Sequence, residues 1–259
     1  MPIGRHLTAF AFTLPVALFS GACTNAKVGD ATGGVDGADA GGGGGGGGSA
    51  ADAGGGGADP LADAAPSAPD AGPLTLTHSQ SLDIVGFNSV TCFEAVNSYY
   101  RVFDLDALGI DGPISVNKVT FGVEECLSGA AGLPATVKLH TLEGGLALGN
   151  LTQIAAADTL IPDVAVPDEG ELGGLLHEVA IESPVPAGST LVVEVTHPGL
   201  NQDQSLFMGS NRAGESDPSY LRAPECDTNE PTPAAMVPDE EGNFPTMHWV
   251  LVVDGQTGG

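Results

Sequence analysis

The residues best able to hold a metal are His78, His140, His177, His197 and His248, and they fall in five separate stretches of sequence. A zinc site legible in sequence needs two histidines four apart on a helix, or a local Cys/His cluster, and neither occurs. An acyl-transfer nucleophile would sit in GxSxG, which Gly209-Ser210-Asn211 does not complete. A glycosidase needs two facing carboxylates. Residues 74–259 hold 26 acids, so some pair would reach a suitable spacing by chance and the pattern selects nothing. These residues favour a protein without catalysis, and an exported hydrolase with an unrecognised site stands as the alternative.

Calcium is the one cofactor the side chains could serve. Asp239-Glu240-Glu241-Gly242-Asn243 and Asp168-Glu169-Gly170-Glu171 each place hard oxygen ligands around a glycine turn, without the twelve-residue EF-hand spacing. The plainer reading is solvated acidic loops and no cofactor. The loop from Gly209 to Pro224 is the most unusual polar stretch, bringing Asn211, Arg212, Ser219, Tyr220 and Arg222 close together in a chain with seven Lys and Arg in all. Tyr and Arg are favoured where binding energy concentrates, and loops on a rigid scaffold are where recognition sits. These five are the candidate binding residues. Tyr100, Trp249 and Phe87 are read as core side chains and not as a sugar-stacking platform.

What must position them is a set of short strands. Apolar residues alternate with period two through Tyr99–Leu105, Val119–Val123, Val137–His140, Val179–Glu182, Leu191–Thr196 and Met247–Val253, the last with Met247, Trp249, Leu251 and Val253 on one side. Turn chemistry separates the runs at Asp111-Gly112-Pro113, Gly132-Leu133-Pro134, Glu143-Gly144-Gly145, Pro186-Ala187-Gly188 and Pro198-Gly199. No segment keeps a helical period for three turns. The expected fold is all-β: an antiparallel, jelly-roll-like β-sandwich over residues 74–259.

Ahead of it the composition changes twice. Met1–His6 contains Arg5 and no acid, and Leu7–Phe19 is apolar apart from Thr8 and Thr13. As a helix that run would span about 20 Å, short of a ~30 Å hydrocarbon core, so it reads as a signal peptide over residues 1–22. Residues 23–73 are rich in Gly, Ala, Asp and Pro, with eight consecutive glycines from Gly41 to Gly48. Such a stretch buries too little to offset the entropy of ordering it, and it reads as a disordered tether with a typical reach of roughly 35–42 Å.

Ser20-Gly21-Ala22-Cys23 resembles the bacterial lipobox, with Ser20 where an aliphatic residue is usual. The resemblance implies diacylation of the Cys23 thiol, a lipid bilayer as first partner and, with Thr24 next, the outer membrane of the cell envelope. An ordinary secretory cut nearby, leaving Cys23 a plain thiol, is the alternative. From Ser98 onward the chain resembles a β-sandwich module of uncharacterised activity that recurs in exported bacterial proteins. The likeness lies in Asn97–Leu105, Val119–Glu124, Val185–Ser189, Gly209–Gly214, Pro218–Leu221 and Phe244–His248. It implies fold and export, and no reaction. With Cys23 acylated, Cys92, Cys126 and Cys226 allow three single pairings, and the resemblance favours Cys92–Cys226.

The chain carries a formal charge of −26, and residues 74–259 hold 26 acids against five bases. A surface this acidic repels phosphate backbones, so nucleic acid is excluded as a partner. A glycan or a protein is the expected ligand of a displayed binding or adhesion module. A structural envelope component without a discrete ligand is the remaining alternative.

Overall fold

The computed structural model of the protein describes residues 72–92, 95–129, 132–201, 203–237 and 246–258. The leader, Cys23, the tether before residue 72 and the Asp239–Asn243 calcium candidate lie outside the described residues. Fifteen strands follow in order: β1 (Pro73–Thr77), β2 (Ile84–Val85), β3 (Asn97–Asp104), β4 (Ile114–Leu127), β5 (Leu133–Leu142), β6 (Leu151–Ile161), β7 (Leu172–Gly173), β8 (Leu175–Val185), β9 (Thr190–His197), β10 (Ser205–Met208), β11 (Ser210–Asn211), β12 (Tyr220–Ala223), β13 (Thr228–Pro233), β14 (His248–Trp249) and β15 (Leu251–Thr257).

Two antiparallel sheets carry the architecture. In the first, the long β4 pairs with β8 along one edge and with β15 and then β10 along the other, while β1 closes the far side of β15. The second runs β13-β12-β3-β9-β5-β6. The chain crosses between these two sheets from β1 to β3, β3 to β4, β4 to β5, β6 to β8, β8 to β9, β9 to β10, β10 to β12 and β13 to β15, which gives the sandwich its jelly-roll-like path. Two short ladders, β2–β7 and β11–β14, sit beside them.

The core is drawn from both sheets by period-two alternation. Tyr99 and Phe103 of β3, Val119, Phe121 and Val123 of β4, Val137 and Leu139 of β5, Val179 and Ile181 of β8, and Leu191, Val193 and Val195 of β9 form one buried cluster. Met247, Trp249, Leu251 and Val253 join it from one side, as their spacing predicts.

The segment that carries those four is not one strand. β14 pairs with β11 and β15 with β4, and the chain breaks between them at Val250. There Val250 N–H donates to Gly209 O, Gly209 N–H to Gly122 O, and Gly122 N–H to Val250 O. This triangle hands the edge of β4 from β15 to β10. It needs backbones in contact: a Cβ on Gly209 would lie 2.8 Å from the Gly122 carbonyl carbon. Gly132-Leu133-Pro134 also differs from expectation, because only Gly132, at φ +138, turns the chain. Leu133 and Pro134 already belong to β5, opposite Ile161 and Leu160.

Cys92 and Cys226 are disulfide-bonded with 6.1 Å between their Cα atoms, tying the lead-in of β3 to the turn after β12. Asn97 locks that lead-in, accepting from Cys92 N–H and donating to Cys92 O, both at 2.9 Å. Cys126 stays a thiol, buried beneath Ile161. Burial, then the charges of Asp163 and Glu125, push it up to about 11.

Candidate functional site

The five candidate binding residues separate into three places. Asn211 is buried and serves its own loop: its side-chain oxygen accepts from Ala213 and Gly214 N–H, and its amide donates to Ser81 O. Arg212 is exposed beside it, with Nε donating to Asn88 Oδ1 at 3.2 Å. Ser219 is buried elsewhere, and Tyr220 and Arg222 lie on the outer face of β12.

Ser219 belongs to a polar node inside the sandwich. Arg101 lies on the core face of β3 between Tyr99 and Phe103 and is 1% exposed. Its NH1 group meets Glu215 Oε2 at 2.7 Å and Asp217 O at 2.7 Å, and NH2 donates to Trp249 O at 2.6 Å. Ser219 Oγ donates to Glu215 Oε2 at 2.7 Å and accepts from Trp249 N–H at 3.0 Å. His78 stacks on Phe103, centroids 4.7 Å apart, donates through Nε2 to Val102 O and meets Ser216 Oγ at 2.7 Å through Nδ1. A hydroxyl against an imidazole is the pairing of acyl transfer. Here the second ring nitrogen is held by a backbone carbonyl instead of a carboxylate, and the contact ties the 214–217 loop to β1 and β3.

Tyr220 and Arg222 look outward, and register shows what surrounds them. Lys138 of β5, Glu194 of β9, Tyr100 of β3 and Tyr220 of β12 are direct neighbours across four strands. The adjacent row is Asp158, Thr136, Thr196, Ser98 and Arg222. All these positions alternate with core residues, so they share the outer face of the six-stranded sheet.

Within the first row Glu194 is 6% exposed. It accepts from His140 Nε2 at 3.0 Å, Lys138 Nζ at 3.2 Å and Tyr100 Oη at 3.4 Å. Because the carboxylate only accepts, Nε2 carries the His140 proton. Burial pushes the Glu194 carboxyl up, but His140, the Lys138 charge and Ser98 outweigh it and hold it at about 2. In the second row Thr136 Oγ1 donates to Asp158 at 2.7 Å and Ser98 Oγ to Thr196 Oγ1 at 3.0 Å. At the end of the sheet nearest β6 these rows border a groove of about 790 Å³, in which Lys138 and Asp158 face an apolar rim of Val96, Pro134, Leu160 and Pro198.

Tyr100 and Trp249 are buried as expected, although Tyr100 is buried on the outer face. Phe87 overturns its reading as core: it is 61% exposed. Its backbone has φ +56, and the buried Glu124 carboxylate accepts from Phe87 N–H at 2.9 Å and Asn88 N–H at 3.2 Å, which fixes the turn and aims the ring at solvent. Burial raises Glu124 above the usual carboxylate range, against those two hydrogen bonds. Asp168, Glu169 and Glu171 are exposed around Gly170, and no group of three metal-ligating side chains gathers among the described residues.

The groove and its rows were illegible locally. Lys138, Thr136 and Asp158 come from the successive strands β5 and β6 and Glu194 and Thr196 from the distant β9, and their only shared signal was the polar half of each alternation. No protein-family model and no curated protein matches the chain.

Two outcomes test this geometry. Glu215→Gln leaves Arg101 buried without its counter-charge and should destabilise the fold by about 3–5 kcal/mol in denaturant unfolding. Glu194, held below its ordinary 4.5, binds fewer protons folded than unfolded. Its contribution is therefore present above about pH 4.5 and lost as pH falls towards 2. Thermal melts across that window should fall more steeply for the wild type than for Glu194→Gln.

Proposed function

We propose that this chain is an exported, lipid-anchored envelope protein that displays a β-sandwich binding module on a Gly/Asp-rich tether. Its recognition surface is the outer face of the six-stranded sheet. The observation that carries the reading is the groove beside Lys138 and Asp158, continuous with the row that ends in Tyr220. It joins an apolar rim to a few convergent polar groups on rigid strands, the usual composition of a ligand site. The module binds there and transforms nothing. A polyhydroxylated or peptidic ligand suits hydroxyls, one ammonium and one carboxylate better than an anionic polymer would.

The full-length protein screened on arrays of glycans and peptides should yield a binder. Lys138→Ala and Tyr220→Ala should each weaken it about tenfold or more, while Arg212→Ala leaves it unchanged. A binder sensitive to Arg212→Ala alone would move recognition to the loop end and overturn the assignment. The anchor is tested separately. Cys23→Ser should shift the protein from the membrane to the soluble fraction, and a wild-type N-terminal fragment without acyl mass would remove that part of the reading.

A further inference from the structure

Three charged side chains stand in or beside the groove of the six-stranded sheet, and they do not cancel. Lys138 Nζ lies 3.2 Å from Glu194 Oε1, so the one ammonium is already matched. The Asp158 carboxylate accepts from the uncharged Thr136 Oγ1 at 2.7 Å, and no basic side chain pairs with it among the described residues. Unmatched acids are common in this chain, with 26 acids to five bases in residues 74–259. Asp158 differs in its setting, because it lines a concave site and borders hydrocarbon.

Strand register places that hydrocarbon. Thr136 faces Asp158, and the next row on the same face is Pro134 opposite Leu160. The two rows are two residues apart, about 6.7 Å along the strands. Val96 and Pro198 complete the apolar rim. A carboxylate one row from an apolar strip fits an alkyl stem that ends in a cation, which is the shape of a lysine or arginine side chain. The Lys138 ammonium keeps N–H donors beyond the one given to Glu194, and these suit a peptide carbonyl. No phenyl, phenol or indole ring lines the groove, so a sugar has no such face to stack on.

Taking the groove as the recognition surface, a reading on which this step rests, we propose that it receives a basic side chain of a peptide or protein partner. The cation sits on Asp158, the alkyl stem lies on Leu160 and Pro134, and Lys138 holds the partner's backbone. The acidic surface around the groove speeds encounter with a basic partner and repels an acidic one.

Acetylated, amidated pentapeptides with a central lysine, arginine, norleucine or glutamate among alanines separate charge from hydrocarbon. They are titrated at physiological salt into the isotope-labelled full-length protein, and backbone amide shifts are read by NMR. The lysine and arginine peptides should shift the Thr136, Asp158, Leu160 and Thr196 amides saturably, and the norleucine and glutamate peptides should bind several-fold more weakly. Asp158→Asn keeps an oxygen for Thr136 and should weaken the lysine peptide several-fold. Asp111→Asn, at an exposed position between β3 and β4, removes the same charge and should leave affinity near wild type. A norleucine peptide that binds as well as the lysine one overturns the proposal. So do equal losses in Asp158→Asn and Asp111→Asn, or basic peptides that shift no groove amide at millimolar concentration. An array binder that lacks a basic group yet needs Lys138 removes the cation and leaves the groove as a site. One that answers to Arg212→Ala alone removes both.

Discussion

A guanidinium is buried in this sandwich, and much of one end of the molecule is arranged to neutralise it. Arg101 occupies a core position of β3, where an unpaired charge would be untenable. The 214–220 loop must therefore return to the sheet to bring Glu215 and the Asp217 carbonyl, and the start of the last strand pair must supply the Trp249 carbonyl. Ser219 then couples the carboxylate to Trp249 N–H, and His78 and Ser216 fasten the loop to the first strand. A polar stretch that reads as exposed recognition chemistry is in large part a plug fitted to one cation.

The strands that sequence shows well are those that bury one face. Tyr99, Phe103, Val119, Phe121, Val193 and Val195 alternate cleanly because each strand sends every second side chain into the shared core, while the buried residues of the other face are polar or mixed. Strand β6 escapes the same reading because Ala155-Ala156-Ala157 has neither bulk nor branching to mark a face. The split at Val250 escapes it too, since Met247, Trp249, Leu251 and Val253 keep one side through the break, which arises from Gly122 and Gly209, far away in sequence. Phe87 shows the limit of hydrophobicity as a guide: a carboxylate from β4 sets its backbone, and the ring follows. The disulfide rested on resemblance, because spacing alone left three pairings open.

The two faces of the six-stranded sheet handle polarity differently. Inside, one charge is matched by a dedicated loop. Outside, Glu194 is shared among His140, Lys138 and Tyr100, so a nearly buried carboxylate remains ionised and its neighbours are held in fixed orientations. Side chains locked in this way present donors and apolar edges without further loss of freedom when something binds, which is how rigid surfaces gain affinity.

The Cys92–Cys226 bond also determines how the module responds to mechanical load. Force applied from the N-terminal side can unravel β1 and β2, but at Cys92 it passes through sulfur to Cys226 and bypasses the intervening chain, a sequence separation of 134. That bypassed loop would otherwise add roughly 450 Å of contour at full extension. A pull from the N-terminal side thus meets a short, stiff path, with the groove and the polar rows of β3, β5, β9 and β12 inside the covalent loop.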